Sequence, residues 1–171
     1  RHQKLFSFFA DTMKNINRLD EIIISRAYVS QADLLAKTEA ILTVLAQKYA
    51  KQFEVHSELK EQQLNLDISI FLEVLENLID NAMRFSVQCV RVEFRYSQSL
   101  LNVCVHDDGK GFQPDELSKA VKPYYHGESV GIEHYGMGLY ICKMLCEKHG
   151  GFLRVYNSPG GGACVEFNIA A

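Results

Sequence analysis

Glu73, Asn77, Asp80, Asn81 and Arg84 lie within one stretch, FLEVLENLIDNAMRFS (residues 71–86), and their types and spacing are the first sign of chemistry in this chain. At about 100° per residue they fall within roughly a third of a helix circumference. An ordinary solvated face would carry Lys and Glu in pairs. Two Asn one turn apart lower helix propensity and offer neutral oxygens and amide protons, groups suited to a hydrated cation and a polyphosphate. The plainer reading of the pair is an interhelical hydrogen-bond network. For Glu73 a catalytic or cation-adjacent role stands beside a simple salt bridge with Arg84.

Two glycine-bearing stretches add to this. In Asp107-Asp108-Gly109-Lys110-Gly111-Phe112 a carboxylate is followed by glycines that let the backbone turn sharply and come close to a ligand. Asp-Gly pairs also form plain turns. In His134-Tyr135-Gly136-Met137-Gly138-Leu139 the glycines precede a helical pattern, where exposed N–H groups and the helix dipole favour phosphate.

The elements that must position these groups follow from periodicity. Leu72, Leu75, Leu78, Ile79 and Ala82 oppose the polar stripe, which predicts an amphipathic helix capped near Asp67 or Ser69. Upstream, Leu5, Phe9, Met13, Ile16, Leu19 and Ile23 mark the seam of a bundle-type helix from Arg1 to about Val29. Ser30 and Asp33 signal the start of a second helix, about Ala32 to Lys51. Strands are predicted at Phe53 to Leu59 and Gln63 to Leu66, and an antiparallel hairpin at Val90 to Tyr96 and Leu100 to His106 around Ser97-Gln98-Ser99. From Gln113 to Tyr135 all periodicity is lost, as in a lid or binding loop. A last helix through Leu139, Cys142, Leu145 and Cys146 stops at Gly150-Gly151, and strands Phe152 to Asn157 and Cys164 to Ile169 close the chain. The sum is an α+β sandwich of two layers, a mixed and mostly antiparallel sheet with helices on one face, preceded by one bundle-type helix.

The 171 residues suit one domain with a short appendage, and the net charge of −3 leaves no basic surplus for nucleic acid. No apolar run is long enough to span a bilayer, so no membrane contact is expected of this stretch. The five cysteines are odd in number and lack CxxC spacing, which suggests reduced packing residues of a cytoplasmic protein. Cys142 and Cys146 share a helix face but lack a second pair with which to hold a metal. The chain starts at Arg1 inside an amphipathic pattern, as an excised fragment would.

Taken together, Glu73 to Ala82 (E-x-x-x-N-L-x-x-N-A), Asp107 to Gly111 (D-x-G-x-G), the aperiodic segment, and Gly136 to Leu139 (G-x-G-L) resemble the ATP-binding domain of sensor histidine kinases, a fold shared with gyrase B, Hsp90 and MutL. The resemblance covers about Gln31 to Ala171. It implies a division into residues 1–29, the second helix of a dimerisation and phosphoacceptor hairpin, and residues 30–171, the ATP-binding catalytic domain. It also implies that Asn77 coordinates Mg²⁺ on the ATP phosphates, with Asn81 and Arg84 touching phosphate and ribose. Phe85 would lie against the adenine, and Asp107 would accept its exocyclic amine. Gly109 and Gly111 would permit that approach, while Gly136, Gly138 and Leu139 would hold phosphates. Glu73 stands where related ATPases prepare a water.

The sequence departs from the family pattern at three places. Ala163 follows the third glycine box where a Thr is common, so a hydroxyl contact beside the nucleotide is missing. Tyr124, in Val121-Lys122-Pro123-Tyr124-Tyr125, stands in the lid box where Phe is usual. The phosphoacceptor box is absent, because His2 is followed by Gln3 and Lys4. The expected activity is therefore a cytoplasmic catalytic module that binds Mg·ATP and hands its γ-phosphoryl to a histidine outside this stretch. Its expected partners are the dimerisation domain of the same parent protein, which would be a homodimer, and a downstream response regulator, with no nucleic acid among them. A non-catalytic nucleotide-binding regulatory module, or an ATPase or serine kinase of the same fold, is the alternative.

Overall fold

The computed structural model describes residues 19–120 and 137–171. Strand β1 (Ala27–Ser30) leads into helix α1 (Gln31–Tyr49), then β2 (Gln52–Ser57), β3 (Gln63–Leu66) and helix α2 (Ile68–Phe85). The hairpin β4 (Cys89–Ser97) and β5 (Leu100–Asp107) follows, then a short helix α3 (Pro114–Lys119), helix α4 (Met137–Lys148), β6 (Phe152–Asn157) and β7 (Ala163–Ala170).

Five strands form the main sheet in the order β2-β4-β5-β7-β6, with β2 parallel to β4 and the other neighbours antiparallel. Alternation along the strands decides the layering. Val90, Val92 and Phe94 on β4, Leu101, Val103 and Val105 on β5, and Phe167 and Ile169 on β7 are all buried. These are every second residue, so they share one face, which packs against α2 and α4. Phe71 of α2 meets Phe167 of β7 at a ring-centroid distance of 6.0 Å, a tilted pair at the centre of the layer contact. Each fully buried Leu, Ile or Phe here is worth about 1.5–3 kcal/mol relative to exposure. The expected two-layer α+β architecture is the one observed.

The N-terminal helix ends earlier than periodicity predicted. Helical residues end at Glu21, and Ala27–Ser30 form β1, paired antiparallel with β3 in a separate small sheet. The β-branched run Ile22-Ile23-Ile24 and then Tyr28-Val29 suit extended backbone better than a helix. Leu19 is buried in the domain core, and Ile22 and Ile24 pack against it. Ser30 caps α1 as its sequence signal implied, its Oγ accepting from the Asp33 N–H at 3.1 Å.

A second correction concerns the aperiodic segment, whose first part contains α3. Pro114 at the first turn and the acidic pair Asp115 and Glu116 beside the positive helix end account for it. The remainder of the segment, including the lid box and Tyr124, lies outside the described residues, as does His2.

Candidate functional site

The site starts with the way α2 is seated. Asp67 caps it, with Oδ1 accepting from the Ile70 N–H at 3.2 Å and Oδ2 from the Ser25 N–H at 2.9 Å. The Asp67 N–H itself donates to Nε2 of His149, at the end of α4, at 2.9 Å. Below this anchor Val74, Leu75, Leu78, Ile79, Ala82 and Met83 are buried, which leaves Asn77 exposed and Glu73, Asp80, Asn81 and Arg84 half-buried on the other side. The polar stripe is thus where the period placed it.

Within the stripe the side chains are held by one another. Asn77 Nδ2 donates to the Glu73 carbonyl at 2.8 Å. That acceptor fixes the amide orientation and leaves Asn77 Oδ1 on the side of Gly138, whose Cβ would stand 4.0 Å from it. Arg84 donates to Asp80 Oδ2 at 2.8 Å, to Asn81 Oδ1 at 3.3 Å and to the Tyr49 hydroxyl at 3.3 Å. Tyr49 donates in turn to Asp80 Oδ1 at 2.7 Å. The partner of Arg84 is therefore Asp80, one turn away, and the alternative of a Glu73–Arg84 bridge is not what forms. Geometry explains the choice, since the i,i+4 pair is adjacent while Glu73 is three turns distant.

The second half of the site is built from backbone. Asp107, at the end of β5, accepts at Oδ1 from the N–H of Gly109 at 2.8 Å and of Ala163 at 3.3 Å. Among the described residues both bonds fall on the same oxygen, so Oδ2 can take an amino hydrogen of a ligand. Burial pushes the Asp107 carboxyl up from its ordinary value, and the two N–H bonds oppose that rise. A Cβ on Gly109 would stand 2.2 Å from the Phe85 carbonyl oxygen, and one on Gly162 would stand 2.0 Å from the Asp107 carbonyl oxygen. Gly162 also has φ +82°, a left-handed conformation that favours glycine. The close approach at this turn is to the protein's own backbone at the end of α2, whereas the sequence pattern was read as an approach to a ligand.

Asp108 and Asn157, which sequence reasoning did not single out, lock this corner. The Asp108 carboxylate accepts from the N–H groups of Val87, Gln88 and Cys89, the tightest at 2.7 Å. Burial works against that carboxylate, but the bonds from Gln88, Cys89 and Val87 win and hold it below its ordinary range. Asn157 clamps Phe112 from both sides, accepting from its N–H at 2.7 Å and donating to its carbonyl at 2.8 Å. Gly111, with φ +77°, leaves room for that clamp. The Asp108-Gly109 pair hints at a turn, but the partners of Asp108 and of Asn157 lie far along the chain.

Of the predicted site residues, the structure gathers Phe85, Asp107, Gly109 and Ala163 at one end of α2, and brings Gly138 to Asn77 at the stripe. Phe85 is 41% exposed, so its ring is open to a flat ligand. Gly111 lies one residue from the Asn157 clamp, and Leu139 packs partly against the core. Tyr124 and Gly136 lie outside the described residues. The resulting surface offers an oriented carboxylate and an exposed ring at the end of α2, with the guanidinium beside them, and carboxamide oxygens leading along the helix to the start of α4. That combination can bind a base, a sugar and an anion in a row.

Residues 66–171 match the family of histidine kinase-, DNA gyrase B-, and HSP90-like ATPases, and the chain belongs to it. Among curated proteins it is 27% identical over 184 residues to the sensor protein KdpD of Clostridium acetobutylicum, covering 99% of this chain and 20% of that protein. It is 28% identical over 170 residues to the sensor protein SrrB of Staphylococcus aureus, covering 89% of this chain and 29% of that one. The chain thus spans less than a third of these relatives. The same fold occurs in the mycobacterial sensor histidine kinase MprB, with a TM-score of 0.70 at 22% identity over 85% of this chain and 97% of that one. It occurs also in full-length ShkA in complex with AMPPNP, with a TM-score of 0.78 at 20% identity over 98% of this chain and 37% of that one. No helix among the described residues is long and apolar enough to cross a membrane.

Proposed function

We propose that this chain is the ATP-binding catalytic domain of a sensor histidine kinase, which positions ATP so that its γ-phosphoryl reaches a histidine on another domain of the parent protein. The observation that carries this reading is Asp107, oriented by Gly109 and Ala163 with one oxygen left for an exocyclic amine. Such a carboxylate selects adenine, because guanine presents a carbonyl oxygen at that position. Phe85 would cover the base. Asn81 and Arg84 would exchange part of their present bonding for ribose and phosphate, and Gly136, Gly138 and Leu139 would receive the phosphates at the start of α4.

Asn77 fits Mg²⁺. Its Oδ1 is a neutral oxygen on the open side of α2, and Mg²⁺ prefers one or two protein oxygens with phosphates and water over an all-protein cage. When bound, the ion would neutralise charge on the polyphosphate. Asn77 would hold it, and Glu73, beside Asn77 on the same face, would orient a water or the incoming group. The work of the chain is then placement of the nucleotide and exclusion of solvent.

The parent protein would supply the phosphoacceptor hairpin, whose second helix would end at about Glu21, before β1, and would act as a homodimer on a response regulator in the cytoplasm, with any membrane anchor upstream. Calorimetric titration with ATP and GTP in Mg²⁺ tests the nucleotide assignment, and equal affinities would remove the role given to Asp107. Radiolabelled γ-phosphate is expected to stay off this chain and to appear on a separately supplied hairpin of the parent. Tight ATP binding without label on either molecule would make the regulatory-module reading the better one.

A further inference from the structure

The face of the sheet turned away from α2 and α4 carries a cluster that the nucleotide site does not use. The register lays two polar rungs side by side across four strands. One runs Glu93, Cys104, Glu166, Arg154, and the next runs Arg91, His106, Cys164, Tyr156. At their centre Cys104, His106 and Cys164 hold their sulfur and ring-nitrogen atoms within 4.8 Å of one another. Cys164 is fully buried and the His106 side chain is 14% exposed, so the cluster is shielded but reachable.

We infer that Cys104, Cys164 and His106 form a site for a borderline-soft divalent cation of the Zn²⁺ class, with Glu93, beside the imidazole, as the carboxylate that would complete a tetrahedron. Ideal Zn–S and Zn–N bonds place tetrahedral ligand atoms roughly 3.5–3.8 Å apart. Here Cys164 Sγ stands 3.9 Å from His106 Nε2, and Glu93 Oε2 stands 3.2 Å from the same nitrogen. Cys164 and Glu93 thus both reach Nε2, and Cys104 lies with Cys164 and His106 in the same 4.8 Å group. The other ring nitrogen, Nδ1, lies 3.2 Å from the Ser158 hydroxyl, the kind of outer contact that fixes the tautomer of a metal-bound imidazole.

The surroundings match the charge that such an ion would bring. Two thiolates and a carboxylate overbalance a divalent ion by one negative charge, and Arg91 pairs with Glu93 at 2.9 Å. Glu166, which accepts from Cys104 Sγ at 3.4 Å, is itself neutralised by Arg154 at 2.9 Å. Binding would release one proton from each thiol to solvent and form two metal–sulfur bonds, with no change of oxidation state.

The test uses the untagged 171-residue chain, reduced with a phosphine and freed of metal. Co²⁺ titration is expected to give thiolate-to-cobalt charge-transfer absorption and tetrahedral ligand-field bands at one ion per chain, displaced by one equivalent of Zn²⁺. Cys104→Ser, Cys164→Ser and His106→Gln should each weaken Zn²⁺ by about 100-fold, and Glu93→Gln by about 10-fold. Cys89→Ser keeps a comparable thiol change outside the cluster and should leave binding unaltered. Circular dichroism and thermal unfolding of each metal-free variant separate a lost ligand from a lost fold. Asn77→Ala should leave Zn²⁺ binding intact, so failure here and failure of the nucleotide assignment are read separately. Absence of charge-transfer absorption in the folded parent chain would overturn the site, as would equal loss on Cys89→Ser.

Discussion

The two ends of the nucleotide groove are built on different terms. At the Asp107 corner, backbone meets backbone. Gly109 lies against the Phe85 carbonyl, Gly162 lies against the Asp107 carbonyl, and Asp108 gathers three N–H groups of the turn before β4. Along the polar stripe of α2 the contacts are between side-chain ends, with Asn77 on its own helix carbonyl and Arg84 divided among Asp80, Asn81 and Tyr49. The corner can change only if the chain moves, whereas the stripe can exchange partners by rotamer. On the proposed assignment, base recognition would be pre-organised here and the phosphate end would be assembled on binding.

Asp107→Asn probes the corner with the largest expected effect. Asn retains an oxygen for the Gly109 and Ala163 N–H groups, so the fold should persist, but it turns an amide donor toward the exocyclic amine of adenine. ATP affinity should fall by about 100-fold and the preference should move toward GTP, as read by calorimetry. Unchanged selectivity would show that the corner is a turn and not a reader. Gly109→Ala should act through the fold instead. Its Cβ would meet the Phe85 carbonyl oxygen at 2.2 Å, a backbone atom with nowhere to go. A loss of about 2–4 kcal/mol in urea unfolding without ligand is expected. Wild-type stability in that variant would mean that the corner is softer than its contacts imply.

The stripe should behave in the opposite way. Asn77 is exposed and Asn81 is half-buried, so Asn77→Ala and Asn81→Ala should each change ligand-free stability by less than about 0.5 kcal/mol. Affinity for Mg·ATP should nevertheless drop by about 10-fold, and for Asn77→Ala the dependence on Mg²⁺ should flatten. If either variant unfolds as readily as Gly109→Ala, the contrast between the two ends disappears.

Much of this was legible in advance because it is local. The stripe on α2 follows from a 3.6-residue period, and the Asp107 turn from a carboxylate and two glycines within five residues. The short α3 carried its own signals in Pro114, Asp115 and Glu116, but six residues without an apolar repeat do not announce a helix. What could not be read is long-range register. Nothing near Cys104 and His106 points to Cys164, and only the pairing of β5 with β7 brings them together. The parallel partnership of β2 with β4 was hidden for the same reason, since α2 and β3 intervene. Asp108 has a similar history: its carboxylate serves residues about twenty positions back along the chain.

The smallest expected effect concerns the far anchor of the stripe. His149 Nε2 accepts the Asp67 N–H at the start of α2, so that nitrogen must be unprotonated in the folded chain. Burial holds its pKa below the ordinary histidine value, with Arg26 adding to the depression and Asp67 opposing it. The sign follows from linkage. A depressed folded pKa means that the unfolded chain binds the proton more readily, so this contribution is complete above about pH 6.5 and is lost as pH falls through the lower folded value. His149→Gln keeps a carbonyl acceptor for Asp67 but does not titrate. Thermal unfolding from about pH 7.5 to about pH 5.5, in a metal chelator, should show the wild type losing about 2 °C more than the variant, with every other titrating group common to both. Parallel curves would mean that protonated His149 is accommodated and that the start of α2 is as adaptable as its polar stripe.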